Sequence, residues 1–464
     1  MALNSLALAS ERPNIVFIFV DDLGYGDIEP FGSPDNRTPH LNRMAAEGRR
    51  FTEFYVSSTA CTPSRAALLT GCYAARIGMA GPVLFPGGKR GLNPSETTIA
   101  ELLKEQGYAT GCFGKWHLGD QPEFLPLNHG FDEYEGIPYS NDMWEHKPNK
   151  DKPEENYGPL PYLKQDKVVA RIPDGQSQAL LCDAITDAAI DFIKRHKDGP
   201  FFAYVPHTFV HHPRFVKKEL ADRAQGDVTR AQIEAVDAST GRILDTLREL
   251  GIAENTLVFF TSDNGPARGC SAGPLRGAKG GPKYEGNMRV PALAWWPGRI
   301  PAGTVCSAIG TTVDILPTLA RLTGAELQVG RIIDGKDMTS LLFDAVPKSR
   351  HYWLYYEFAG IREGRGKWKA VKVVDPAGGG YVYELYNLDN DLGERKDFAD
   401  LKKGKTKELR KRLEAHEELV KMGSRPAGMV EHPTRLLEGA GDLPTLAEYR
   451  NQTNVVVVGV EQEK

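Results

Sequence analysis

Six cysteines in 464 residues (Cys61, Cys72, Cys112, Cys182, Cys270, Cys306) are too scattered for a disulfide framework, and no Cys-x-x-Cys pair offers a zinc site. Whether some of them pair, and so the redox compartment, stays open. No apolar run approaches the roughly 20 residues of a membrane-spanning helix; the longest early one covers only residues 15–20. An excess of one charge is also missing. Against 61 acidic side chains stand 57 basic ones, a formal net of −4, which excludes a bulk electrostatic footprint for nucleic acid or an anionic membrane. Any anion site must therefore be local. Internal repeats and low-complexity tracts are absent as well. The opening stretch MALNSLALAS ends in Ala-x-Ala but has no basic segment and too short an apolar one, so a trimmed signal peptide and a frayed tail fit it equally.

What is present is a rhythm. NIVFIFV (14–20), YATGCF (108–113), PFFAYV (200–205) and NTLVFFTS (255–262) read as buried strands bounded by turn residues. Between them lie helix candidates. Ser95 can cap one that carries Ile99, Leu102 and Leu103 and stops at Gly107; another carries Ile233, Val236, Ile243, Leu244 and Leu247 before Gly251. This alternation predicts an α/β fold with a large mixed, mostly parallel sheet sandwiched by helices. Near residue 345 the composition shifts to HYWLYYEF, KWKAVKVV and YVYELYNL, strands with little helix between them, followed by a charged helix on which Leu409 and Leu413 share a face. We expect a principal domain over 13–345 and a small antiparallel sheet with a helix over 346–445, with RPAGMVEHP and the end beyond Leu443 as an extended tail.

In an open α/β sheet ligands bind beyond the carboxyl ends of the strands, so the residues that leave each strand carry the functional signal. The first strand is followed by Asp21 and Asp22, the last by Asp263 and Asn264. Each pair alone also reads as a cap or a tight turn. Together they bring four hard oxygen donors to one edge, a set suited to Ca2+ or Mg2+ rather than zinc or copper. Lys115 and His117 leave the second strand two residues apart, on one side of an extended segment with Trp116 opposite; alone they would be a surface lysine and a core-edge histidine. His207 leaves the third strand, and His211 and His212 follow it. In CTPSR (61–65), Thr62 is a credible N-cap, Pro63 suits the first helical position and Gly71 ends the helix. Cys61 then sits at the helix's positive end, where an anion or an activated nucleophile is favoured, and Arg65 adds a fixed cation one turn later. The plainer alternative is a buried structural cysteine. Cations and a metal converging on one point imply an oxyanion substrate, and histidines imply proton transfer at an ester oxygen. Sulfate and phosphate esters both fit.

CTPSRAALLTG resembles the signature of the type I, formylglycine-dependent sulfatases of the alkaline phosphatase-like superfamily. DDLGYGD (21–27), GKWHLG (114–119), PHTFVHHP (206–213), SDNGP (262–266), LRGAKGG with YEGNMRVPA (275–292) and ELYNLDNDLGE (384–394) are similar to that family's other blocks, in its order, and GIPYSNDM (136–143) to its arylsulfatase A branch. The resemblance implies one Ca2+, or Mg2+, held by Asp21, Asp22, Asp263, Asn264 and Cys61, with Cys61 oxidised to formylglycine by a formylglycine-generating or anaerobic sulfatase-maturing enzyme. It implies that Arg65 and Lys115 hold the hydrated aldehyde and sulfate charge, that His117 is the base, and that His207 and Lys279 contact the ester oxygen. The segment from Lys279 to Tyr284 is one residue longer than the family's spacing, so Lys283 competes for the lysine role. Ser140 is the match for a polar residue near the sulfate, and His211, His212, Trp144 and His146 would line the mouth. A glycan or small-molecule sulfate ester is the implied substrate, a periplasmic or secreted location the implied setting, and no nucleic-acid partner or membrane span is expected. A phosphate or phosphonate monoester hydrolase on the same scaffold is the alternative, for which an Asp-His pair in place of Asp263-Asn264 and more His and Asp ligands would be expected.

Overall fold

The computed structural model describes residues 12–147, 156–437 and 442–460. The first ten residues, with their two readings, lie outside these. Strands β1 (Asn14–Val20), β2 (Arg49–Phe51), β3 (Ala109–Lys115), β4 (Glu133–Ile137), β5 (Leu160–Lys164), β6 (Lys167–Ile172), β7 (Phe201–Pro206), β8 (Thr256–Ser262), β9 (Ala292–Trp295) and β10 (Thr304–Cys306) form one ten-stranded sheet. Their order is β10-β2-β9-β8-β1-β7-β3-β4-β5-β6. The middle of the sheet, β8-β1-β7-β3-β4, is parallel throughout, and antiparallel pairings enter only on its flanks. β1 shows why an unbroken apolar run is needed there. Ile15, Phe17 and Phe19 enter one core while Val16, Ile18 and Val20 enter the other, so both faces of the strand are covered.

Helices close both faces. Against one core lie α1 (Cys61–Thr70), through Leu68 and Leu69, and α4 (Ile315–Thr323), through Leu316 and Leu319. Against the other lie α2 (Leu181–His196), through Ile185, Phe192 and Ile193, and α3 (Val228–Glu249), through Ile233, Val236, Ile243 and Leu244. The sandwich predicted from the sequence is thus present. Two local expectations change. The short helix Ile99–Lys104 is capped by Thr98, which forms a capping box with Glu101, rather than by Ser95. The two stretches expected as an extended tail are tied down by pairing: Gly428–Met429, within RPAGMVEHP, pairs antiparallel with Arg90–Gly91, and Val457–Val460, beyond Leu443, with Arg214–Lys217. Among the described residues no helix is long and apolar enough to cross a membrane, and all six cysteines are free thiols.

A second, four-stranded antiparallel sheet follows: β11 (Trp353–Tyr355), β12 (Gly360–Glu363), β13 (Trp368–Val374) and β14 (Tyr381–Asn387). Helix α5 (Lys403–Met422) lays Leu409 and Leu413 on its Ile361, Ala370 and Leu385. A buried polar knot ties this sheet to the principal domain. Glu285 accepts from Tyr55 and Tyr356, each at 2.7 Å, and from Lys369 Nζ at 2.9 Å; Lys369 also reaches Glu394 at 3.0 Å. The Lys369 and Glu285 side chains are wholly buried. Burial alone would raise the Glu285 carboxyl, but Lys369, Arg362 and Arg289 outweigh it and hold it low. Removing one partner strands a charge without water, which typically costs about 3–5 kcal/mol. Lys369→Met is therefore expected to lower the urea midpoint by an amount equivalent to about 3–5 kcal/mol; a change below about 1 kcal/mol would show that the knot is dispensable.

Candidate active site

The functional residues gather where the parallel strands end. Asp21 and Asp22 leave β1, Lys115 closes β3, Asp263 and Asn264 leave β8, and His211 lies on the loop after β7. Two geometric devices allow the convergence. Asp22 and His117 adopt left-handed backbone angles, φ 66° and 63°, which turn the chain sharply as it leaves the sheet. Such conformations in non-glycine residues concentrate at functional sites. Gly114, at φ 133°, lets β3 close on β7, since a Cβ there would stand 2.0 Å from the Pro206 carbonyl oxygen.

Helix α1 begins at Cys61 itself, not at Pro63. Thr62 is therefore not its N-cap. Its hydroxyl donates to the His117 carbonyl at 3.0 Å and accepts from the Leu84 amide at 3.1 Å, pinning the histidine segment to the helix start. Cys61 is 1% exposed, with Sγ 3.4 Å from Asp21 Oδ1 and 3.7 Å from Asn264 Oδ1. Burial, and then Asp21 and Asp263, push its thiol well above the ordinary range.

Cations interleave with these carboxylates. Arg65 Nη2 lies 2.9 Å and Nε 3.2 Å from Asp263 Oδ2, and Nη1 donates to the Lys115 carbonyl at 3.0 Å. Lys115 Nζ reaches Asp21 at 2.5 Å and Ser140 Oγ at 3.1 Å. Lys279 Nζ lies 2.7 Å from Asp22 Oδ1 and 3.3 Å from Cys61 Sγ. Of the two competing lysines, Lys279 is thus the one in the cluster. Lys283 turns away to Thr59 at 2.7 Å and Glu357 at 2.9 Å.

The histidines separate the same way. His117 Nε2 pairs with the Leu84 carbonyl at 3.0 Å, while its buried Nδ1 has no partner. Burial first, and then Lys115 and Arg65, hold this ring well below the ordinary imidazole range, so it is neutral, and with the Nε2 hydrogen donated to the Leu84 carbonyl its Nδ1 lone pair is free. His207, expected at the ester oxygen, is not in the cluster. Its Nε2 is 3.1 Å from Ser239 Oγ and its Nδ1 4.0 Å from Cys182 Sγ, both on helices that cover the sheet. It is the last turn of β7 geometry that decides this, for the residue directly after the strand points into the helix layer and the loop must run on before it can face the site. His211 occupies the expected position, with Nε2 3.6 Å from Asp22 Oδ2. Trp144, expected at the mouth, is a core residue beside Phe215, and His212 bonds the Arg268 carbonyl at 3.2 Å. His146 is half-exposed beside Trp144, their rings 4.5 Å apart. Asp142, which pairs with Lys147 and whose pKa is lowered by His211 and Lys147 against the pull of burial, was not singled out from the sequence. The rule of inspecting strand exits would have found it, five residues beyond β4.

The donors suit a divalent cation. One donor atom from each of Asp21, Asp22, Cys61 and Asp263 lies within 4.8 Å of the others, all buried, and a second set joins Asp22, Cys61 and His211. Burial and the neighbouring Asp21 push Asp263 up to about 7 even beside Arg65, as expected where carboxylates are crowded beyond the reach of their counter-ions. Hard oxygens predominate, which favours Ca2+ or Mg2+.

Comparisons with known proteins identify the family. A family model described as Sulfatase matches residues 13–325, and one described as N-sulphoglucosamine sulphohydrolase, C-terminal, matches residues 282–422. The chain is 40% identical over 398 residues to arylsulfatase A of Bos taurus, covering 80% of this chain and 76% of that protein. It is 37% identical over 389 residues to N-acetylgalactosamine-6-sulfatase of Sus scrofa, covering 78% and 72%. Among solved structures, the PsFucS1 sulfatase from Pseudoalteromonas sp. superposes with a TM-score of 0.79 at 28% identity, over 92% of this chain and 94% of that one.

Protein stripped with EDTA is expected to melt higher once Ca2+ is returned, by the equivalent of about 2.7 kcal/mol at a hundredfold excess over Kd. Asp22→Asn should lose most of that gain. A wild-type midpoint indifferent to both Ca2+ and Mg2+ would sink the cation site.

Proposed function

The chain belongs to the sulfatase family and hydrolyses sulfuric esters, and from that premise we propose that it removes sulfate from sulfated sugars, with aryl sulfates as surrogate substrates, using a formylglycine made from Cys61 and one bound Ca2+ or Mg2+. The observation that carries this reading is the juxtaposition at the start of α1. Cys61 faces Asp21 and Asn264, while Arg65, Lys115 and Lys279 stand around the same point. The sugar preference rests on the likeness to N-acetylgalactosamine-6-sulfatase.

Hydrated formylglycine supplies one hydroxyl to attack sulfur and a second whose deprotonation lets sulfate leave, and the metal, held by Asp21, Asp22, Asp263 and Asn264 together with position 61, supplies positive charge beside the sulfate. The chain's own groups do the rest. Lys115, with Ser140 beside it, and Lys279 bind sulfate oxygens and offset the repulsion between nucleophile and ester; a well-placed group of this kind contributes about 3 kcal/mol in other enzymes. Arg65 fixes the Asp263 carboxylate and the β3 terminus. His117, neutral and with Nδ1 unpartnered, takes the second hydroxyl's proton. His211 and Lys279 meet the oxygen of the departing alcohol. In this reading the chemistry belongs to residues 13–345, and the unit at 346–445 borders the mouth. A phosphate or phosphonate ester hydrolase fits less well, because both the family assignment and Asn264 beside Asp263 favour a sulfatase with one metal.

The test is a comparison of variants made with a formylglycine-generating enzyme present. The tryptic peptide over 51–65 should carry an aldehyde, and Cys61→Ala should release no sulfate from 4-nitrophenyl sulfate. His211→Ala should lose about 10²-fold or more in kcat, whereas His207→Gln should keep turnover within a few-fold and lose thermal stability instead. An unmodified thiol at position 61 in active protein would overturn the mechanism, and a larger catalytic loss at His207 than at His211 would reverse the two roles.

A further inference from the structure

Beside the catalytic cluster a cleft of about 380 Å3 opens between the loop that precedes α1 and the small sheet. Its lining includes Ser57, Thr59, Lys283, Glu357, Lys372 and Tyr381, and small residues supply much of the remaining wall. None of these six takes part in the chemistry described above. The cleft is nonetheless one residue from it. Ala60 lines it and Cys61 is next in the chain, while the Thr59 carbonyl accepts from the Gly280 amide at 3.1 Å, beside Lys279.

Three observations point to a ligand. Ser57 is 4% exposed and its Oγ has no hydrogen-bond partner, a buried hydroxyl whose isolation is costly unless something bonds it. Glu357 holds a left-handed backbone, φ 49°, at the hairpin between β11 and β12, and sends its carboxylate to Lys283 at 2.9 Å. That conformation is strained for a non-glycine residue. Tyr381 is a large aromatic left 63% exposed at the start of β14, with Lys372 Nζ 4.9 Å from its ring centre. Hydroxyl donors, a carboxylate that accepts from hydroxyls and an exposed aromatic face are the chemistry that holds a pyranose ring, beside the ammonium groups of Lys283 and Lys372, which are paired with Glu357 and Glu417.

We propose that this cleft is a subsite for the sugar unit adjacent to the one that carries the scissile sulfate, so that the protein prefers a sulfated oligosaccharide to a monosaccharide sulfate. The inference rests on the sulfated-sugar reading above and names where the second ring sits. Lys283, set apart from Lys279 by the extra residue in that segment, is thereby a specificity residue for the chain of sugars.

The test uses the matured full-length protein and a panel of sulfated galactose and galactosamine monosaccharides, the matching tetrasaccharides, and 4-nitrophenyl sulfate. Wild-type kcat/KM should be higher for at least one tetrasaccharide than for its monosaccharide. Tyr381→Ala, at an exposed position, should lower the ratio of tetrasaccharide to 4-nitrophenyl sulfate kcat/KM about tenfold, and Lys283→Gln should lower it similarly. Calorimetry on Cys61→Ala protein should show the same loss in tetrasaccharide affinity for Tyr381→Ala. If monosaccharide and tetrasaccharide are turned over equally, or if both variants leave the ratio unchanged, the subsite is refuted while the sulfated-sugar reading stands. If no sugar sulfate is turned over but 4-nitrophenyl sulfate is, both fall together.

Discussion

The structure depends on solving one electrostatic problem, which is how to bury several carboxylates at one point without their expelling one another. Asp21 and Asp263 are wholly buried, with Asp22 nearly so. Two unit charges about 4 Å apart interact by about 4 kcal/mol at an effective dielectric of 20, so uncompensated carboxylates at this spacing would be protonated or would unfold the strand ends. Arg65 answers Asp263, Lys115 answers Asp21 and Lys279 answers Asp22. The same cations that would attract a sulfate are thus required for the carboxylates to be buried together. Burial, which alone would raise Asp21, is overcome chiefly by Lys115, so its carboxyl sits well below the ordinary range, while Asp263 stays high. The carboxylate oxygens of Asp21, Asp22 and Asp263 nevertheless crowd within reach of one point, the arrangement a divalent cation suits.

The second constraint is geometric. Parallel strands deliver their last residues side by side, but a side chain reaches the common point only if the backbone turns at once. The left-handed angles of Asp22 and His117 each cost on the order of 1–3 kcal/mol. Hydrogen bonds hold both turns. The Asp22 amide donates to Asp263 Oδ1 at 3.0 Å, the His117 amide donates to the Pro138 carbonyl at 3.0 Å, and Thr62 grips the His117 carbonyl. The histidine loop is fastened in turn to Asp21, whose amide donates to the Phe209 carbonyl at 3.1 Å and whose carbonyl accepts from the Val210 amide at 2.7 Å. His211 is therefore positioned by the same residue that is crowded at the centre of the site.

This division explains what was legible in the sequence. The buried strands announce themselves by uninterrupted apolar runs, and the rule that ligands bind beyond parallel strand ends then leads to Asp21, Asp22, Lys115 and Asp263 without further information. The helix start at Cys61 was misplaced by two residues because Thr62 has the chemistry of a cap but spends its hydroxyl on the next loop. The sequence points to His207 for the ester oxygen and His211 for the mouth for a similar reason: proximity to the strand in sequence is a poor guide once a loop folds back. Motif position points to Lys279 but spacing leaves Lys283 as a competitor, since what draws Lys283 away is Thr59 and Glu357, hundreds of residues apart in the chain. Pairing of the chain's end with Arg214–Lys217 is equally non-local. Local chemistry is written in the sequence, whereas the partner that claims each polar group is written only in the fold.

The small sheet matters to the site for the same reason. Glu285 opens the short helix Glu285–Met288, just after the segment that carries Lys279 and Lys283, and its buried carboxylate is held by Lys369 on β13, by Tyr356 in the hairpin that follows β11, and by Tyr55 of the principal domain. Asn287, in that same helix, donates to the carbonyls of Ala278 and Gly280, gripping the backbone on either side of Lys279. The lysine at the reaction centre is thus braced through a few links by residues on β13. The hairpin between β11 and β12, by contrast, carries Glu357 out to the cleft, where it is bound to Lys283 but not to the catalytic carboxylates. One sheet therefore performs two tasks: Tyr356 and Lys369 brace the segment that carries Lys279, while Glu357, next to Tyr356 in the hairpin, shapes the cleft beside it. Substitution of Glu357 alone can alter substrate choice without disturbing the balance of charge around Cys61, because its ion pair among the described residues is with Lys283, outside the catalytic cluster; its neighbour Tyr356 bonds Glu285 and lacks that freedom.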